Sequence, residues 1–288
     1  MLRNARSSLS LILLSATVLG GVMCAPALAS SHKHNSASSA DQGETVTPEE
    51  YRAFREQIAQ ISKLRLDQAQ NITRARDLLL AHDERELSHG WVAQCGEVAG
   101  QDDTFEDGVR RAAKESGGAE RLIAKLQTRP SAVFEIDGWQ SAAQGVLASV
   151  ARDSAAMKTL SFRLSEIAYG HTAKEADYAR QAQGQEGGIT GGIKDTRNPM
   201  KTVSPVMVQI LALGAVMDLS KEEPAEAASA KATLAVDKDY DQCLRWSDLN
   251  LRQCLAAARD NSERAYCLSE EGIGSRSQCW NNAIQPSS

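Results

Sequence analysis

Four of the six cysteines fall in one stretch near the C-terminus, at Cys243, Cys254, Cys267 and Cys279, with gaps of eleven, thirteen and twelve positions. Sulfurs gathered this way can form disulfides, bind a metal or run thiol exchange. No CxxC is present and no histidine sits at ligand spacing, so zinc and redox chemistry lack their usual patterns. Disulfides remain. Residues 240–259 contain neither Pro nor Gly and read as a helix. "DNSE" at Asp260 is a capping box that starts a second one. The midpoints of 254–267 and 243–279 both fall at the turn near Asn261. An antiparallel hairpin folded there pairs Cys254 with Cys267 and Cys243 with Cys279. Bridging Cys243 to Cys254 instead means closing about 16 Å along one helix, whereas a disulfide needs Cα atoms within about 7 Å. Pairing 243 with 267 and 254 with 279 shifts the register by a dozen residues. Gly272 is expected to end the second helix and Ser275 to cap a last short one. The nested bridges are worth about 3 kcal/mol for the inner loop and about 4 for the outer alone.

Three other groups could do chemistry. Cys95, in "SHGWVAQCG", has no partner once a leader carrying Cys24 is removed. It is a candidate nucleophile with His89 or His82 as base, but no cysteine-hydrolase signature surrounds it, and a buried or intermolecularly bridged cysteine is the preferred reading. His32 is the second candidate. Cleavage after Ala29 would leave Ser30-Ser31-His32 at the N-terminus, where an amine, two amide nitrogens and an imidazole can surround Cu(II) or Ni(II) in a square plane, with His34 assisting. The glycines at 184–192 are the third, but they lack the strand and helix that phosphate binding requires. No GxSxG, HExxH or Walker loop occurs. No cofactor is expected.

The elements that must carry these residues follow from the pattern. Arg3 and Arg6, an apolar run from Leu9 to Met23 and the small residues of "APALAS" read as a secretory signal over 1–29. Cys24 is preceded by Gly21, Val22 and Met23, a poor match to a lipoprotein signal. Removing residues 1–29, which hold two arginines and no acid, takes the net charge from −5 to −7. A mildly acidic exported chain is a poor partner for nucleic acid.

Residues 30–46 are polar and aperiodic, a flexible leader. A helical region follows over 47–170. "TPEE" starts a helix with Thr47 as cap, and the apolar spacing carries it to about Ala81. "DTFE" at Asp103 opens another that stops at Gly117-Gly118. "AERLIAKLQ" is a short helix ended by Pro130, and "SAVFEI" at 131–136 is the best strand candidate. "DGWQ" at Asp137 opens a second long helix. The Gly-rich stretch 171–204 reads as a linker. Ser204-Pro205 starts an apolar segment, 205–219, preferred as a buried helix over a strand; at fifteen residues it is too short to span a bilayer. An Ala-rich spacer, 220–238, leads to the hairpin at 239–285.

The fold class is therefore mostly α: an elongated helical region followed by a disulfide-stapled C-terminal helical hairpin. At 42% hydrophobic and 24% charged the chain can bury a core, and 5% aromatics argue against a large β-sandwich. In geometry the hairpin resembles the paired-cysteine helical hairpins of small mitochondrial intermembrane-space proteins, with different gaps and an added glycine break. The layout of leader, long amphipathic helices and late apolar segment resembles minor pilus subunits of type IV secretion systems. That likeness implies protein partners in the cell envelope, while the leader and the expected disulfides imply a periplasmic or secreted location. The expected role is a non-enzymatic interaction or assembly component, as in a secretion or pilus apparatus. The alternatives are a small enzyme using Cys95 and a metal-binding protein using His32.

Overall fold

The computed structural model describes residues 46–170, 203–221 and 223–285, and these belong to one unit that clusters over 41–288. The expected signal and most of the leader, including Cys24, His32 and His34, lie outside the described residues, as does the Gly-rich stretch over 171–202. Every regular element among the described residues is helical, and none is a strand. The fold class is mostly α.

Seven elements make up the first stretch: α1 (Glu49–Ser62), α2 (Ala69–Leu79), α3 (Glu84–Gly100), α4 (Asp103–Ser116), α5 (Ala119–Thr128), a 3-10 turn (Pro130–Glu135) and α6 (Trp139–Tyr169). The helix expected to run from Thr47 to Ala81 is broken at 63–68. No Pro or Gly signals this. The break lets Leu66 turn into the core, where it is buried. Arg163 of α6 donates to the freed carbonyls of Ser62 and Leu64, the latter at 2.9 Å, which replaces what the interrupted ladder loses. Pro48, without a side-chain cap, occupies the N-cap of α1, and Glu50 bonds His82 instead of closing a capping box. Asp102 caps α4, which ends at left-handed Gly117. Asp137 does not cap α6; it pairs with Arg111, and Gly138 takes the entry position at φ 85°. A Cβ at 138 would come within 2.5 Å of the Phe105 amide, so only glycine fits this turn. "SAVFEI" forms the 3-10 turn with Ala132 and Val133 buried. Lacking a partner strand, its backbone must bond within the segment.

The apolar segment is α7 (Pro205–Leu219), capped by the Ser204 hydroxyl, which accepts from the Met207 amide at 3.1 Å. It is buried nearly all round, as a helix without a polar face must be. Its most extensive partner is α3. The two backbones meet where Gly214 faces Gly96 and Gly100: a Cβ on Gly214 would sit 2.8 Å from the Gly96 carbonyl oxygen. The Ala-rich stretch 220–238 contains a helix, α8 (Pro224–Leu234), which packs on α7 and α5 through Ala227, Ala230 and Leu234.

The C-terminal part consists of α9 (Lys238–Ala257), α10 (Asn261–Cys267), a π-helical stretch (Leu268–Gly274) and α11 (Ser275–Ile284). Cys254 bridges Cys267 and Cys243 bridges Cys279, with Cα–Cα distances of 5.6 and 5.7 Å. Gly272 does not end a helix. The run from Asn261 to Ile284 is continuous, and its middle is wound wider.

This hairpin does not stand apart from the rest. Trp280, next to the bridged Cys279, packs against Tyr51 and Phe54 of α1 at 5.3 and 5.5 Å and stacks on Trp91 of α3 at 6.4 Å. Ser161 and Ser165 of α6 exchange hydrogen bonds with Ser269, at 2.9 and 2.6 Å between hydroxyls. Small side chains allow this close approach of α6 to the π-helical stretch.

Candidate functional site

Cys95 is buried among the groups of α1, α6 and α9, with Tyr51, Asp153 and Tyr240 as its electrostatic neighbours. Burial raises its thiol well above the usual range, followed by the Asp153 charge. A nucleophile requires the opposite shift. Neither candidate base bonds it among the described residues. His82 is enclosed between α1 and the start of α3; its Nδ1 meets the Glu50 carboxylate and its Nε2 the Gln57 amide oxygen. It ties α1 to the α2–α3 turn. His89 lies near Asp241, with 3.9 Å between Nε2 and Oδ2. Ser88 donates to the other oxygen of Asp241. Serine, histidine and aspartate thus come together, but the serine is bound to the carboxylate, not the imidazole, and is wholly buried. That is no nucleophile–base pair.

The surface of α9 is more informative. Asp237 caps the helix by accepting from the Tyr240 amide at 2.9 Å. Tyr240, Leu244, Ser247 and Leu251 recur at steps of four, three and four, and form the buried face. Cys243 and Cys254 are tied to the C-terminal run at both ends of the helix. The opposite side carries two large apolar groups in water: Trp246 at 55% exposure and Leu249 at 42%. Three positions apart, they share one helix face. Trp246 is the most exposed large apolar side chain among the described residues. Both residues sit off the buried stripe, so the helical period alone marks them as outward-facing.

Beside this face, Arg85, His89, Val236, Asp241 and Arg245 line a cleft of about 250 Å³. The His89 ring is almost fully enclosed, and its Nε2 has no hydrogen-bond partner among the described residues. A larger cleft of about 770 Å³ opens between the start of α1, the ends of α3 and α7, and α8. Its charges are largely matched: Arg52 pairs with Glu97, and Lys221 with Asp218 at 2.7 Å. Lys231, half-buried there, is held below the ordinary lysine range by burial.

The expected metal ligand, His32, lies outside the described residues. Within them no group of three or more His, Cys, Asp or Glu side chains is arranged to hold a metal ion. No described helix is long and apolar enough to cross a membrane. The chain matches no family model, no curated protein and no solved structure.

Proposed function

We propose that this chain is an exported interaction component of the cell envelope, acting by docking a protein partner and not by catalysis, as a subunit of a secretion or pilus apparatus would. One observation carries the reading: Trp246 and Leu249 stand in water on a helix held at both ends by disulfides. An exposed tryptophan costs solubility unless something covers it, and rigid aromatic anchors dominate binding energy at interfaces. The bridges remove flexibility that docking would otherwise have to freeze. Disulfides also belong to an oxidising compartment, in keeping with the leader pattern over 1–29. The buried, high-pKa thiol of Cys95 supports the non-catalytic reading over its enzymatic alternative.

The test is photocrosslinking in the native host, with a benzophenone amino acid at 246 or 249 and, as control, at the exposed Glu56 of α1. Discrete products at 246 and 249 but not at 56 are expected. Trp246→Ala should weaken capture of the crosslinked partner at least tenfold, about 1.4 kcal/mol or more. A diffuse pattern equal at all three positions would reject docking through this face.

A further inference from the structure

The outer face of α9 carries more than two apolar side chains. Gln242, Trp246, Leu249, Gln253 and Ala256 are all exposed and recur at steps of four, three, four and three. That is the spacing by which two helices mesh, and Trp246 and Leu249 stand at its centre. Arg245 and Arg252, seven positions apart, are exposed and follow one edge of this seam. From Gln242 to Ala257 the only other charge is Asp248. Asp248 is mostly enclosed, 2.6 Å from Arg252 and 3.5 Å from Arg276. Asp241, one turn before Arg245, is turned to Ser88 and His89. Arg245 forms no ion pair among the described residues. The edge of the seam is therefore positive, and its free charge stands next to the tryptophan.

We infer that this face docks an amphipathic helix of another protein, one that carries carboxylates along the edge facing Arg245 and Arg252. The inference rests on the docking reading above and names the partner's chemistry. Charge decides against a second copy of this chain. Laid antiparallel through Trp246 and Leu249, two such helices set arginine edge against arginine edge. Laid parallel, Arg245 meets Asn250 and Arg252 meets Ala257. Neither arrangement supplies a carboxylate, and like charges across a seam repel. A lipid surface needs a long apolar face. Here two large apolar side chains lie between glutamines. A helix with Leu or Ile on its inner positions and Glu along the facing edge fits both features. It covers Trp246 and gives the free guanidinium a carboxylate to fork onto, and the opposite charges also speed encounter.

The test uses the natively exported full chain and the fluorescence of Trp246, since Trp91, Trp139 and Trp280 are all buried. Two tryptophan-free helical peptides, about three heptads long, are the probes. Both carry leucine on the inner positions; one has Glu and the other Lys along its edges. The Glu peptide should shift the emission to the blue saturably and, at low salt, bind at least tenfold tighter than the Lys peptide. Trp246→Phe should abolish the signal. Arg245→Glu, at an exposed position without an ion pair, should remove the preference, and Arg245→Lys should keep it. Equal binding of the two peptides would overturn the assignment. So would an unchanged preference in Arg245→Glu, or a larger shift with phosphatidylglycerol vesicles than with the Glu peptide. Peptide mapping of the benzophenone product at 249 in the native host keeps the two readings apart. If the joined peptide belongs to this chain or lacks Asp and Glu, the inference fails and docking stands. If no product forms at 246 or 249, the docking reading fails, and the paired peptides still decide which helix the face accepts.

Discussion

Arg276 has no exposed surface, yet it carries a full charge. Its guanidinium pairs with Glu84 at the start of α3, lies 3.5 Å from Asp248 and donates to the Gly272 carbonyl at 3.0 Å. Burial outweighs the Arg276 attraction and holds the Glu84 carboxyl above the usual carboxylate range. Such a pair adds little net stability but is costly to break from one side. Arg276→Met should therefore cost about 3–5 kcal/mol in urea denaturation. Adding Glu84→Gln to it should recover most of that loss, because the stranded charge goes with it. Equal cost for the single and double variants would show that the two groups are not coupled. The pair joins the first and last parts of the chain, 192 positions apart, and neither residue stood out in its local sequence.

Among the elements, the π-helical stretch at 268–274 explains the uneven cysteine gaps. Eleven α-helical steps of about 100° end within about 20° of three whole turns. Cys243 and Cys254 therefore share a face. Twelve such steps from Cys267 would leave Cys279 about 120° away from the same face. The wider winding, at about 4.4 residues per turn, absorbs the extra residue and returns Cys279 to the side that meets Cys243. The glycines at 272 and 274 read as a helix end because glycine commonly ends helices. Here both stay within the helical run, and Gly272 is buried against Leu251 and Leu79. Deleting Glu271 should convert the stretch to regular α-helix and keep both bridges. Non-reducing peptide mapping should then still join the peptide of Cys243 to that of Cys279, and that of Cys254 to that of Cys267. Loss or exchange of either link would show that the π-helical winding does not set the register.

At the scale of the whole molecule, the interior formed by the described residues holds three acids, Tyr51, Tyr240 and Cys95, that must stay protonated. Burial raises the pKa of Tyr51, Tyr240 and Cys95, with the Asp153 charge adding to the shift at Tyr51 and Cys95. The reference values are 10.0 for tyrosine and 9.0 for cysteine. Above those values the unfolded chain releases protons that the native state retains. Stability is thus fully present below about pH 9 and is lost as pH rises, each group contributing up to about 1.4 kcal/mol per pH unit. The urea midpoint should fall steeply between pH 9 and 11. Cys95→Ala should lower stability at neutral pH by opening a small void, yet show a shallower alkaline slope. An unchanged slope would mean that the thiol does not titrate with unfolding. All three groups lie around the cluster that Trp280 completes, so alkaline unfolding should release the C-terminal run together with α1 and α3.

Much of the fold could be read locally, since its signals are local. Ser204-Pro205 and the cap at Asp260 are short-range hydrogen-bonding devices, and each starts a helix where its neighbours dictate; at "DTFE" the expected cap, Asp103, is the first helical residue and Asp102 before it does the capping. The apolar run 205–219 needed only a choice between helix and strand, and its cap decides for helix. The nested cysteine pairs followed from helix rise and one turn. The chain alone also marked Cys95 as unpaired and favoured a buried or intermolecularly bridged thiol over a nucleophile, and packing buries it. The break at 63–68, the 3-10 turn at 130–135, the loss of the Asp137 cap and the π-helical winding carry no short-range mark. Each depends on a group far away in the chain: Arg163 at the first, α7 packed on the second, the Phe105 backbone against Gly138 at the third, Cys243 at the last. The same holds for the cleft, where His89 and Asp241 lie 152 positions apart in the numbering. A helix cap is settled by the next three residues; a cleft wall exists only once two distant helices have packed, and so it is visible in the tertiary structure alone.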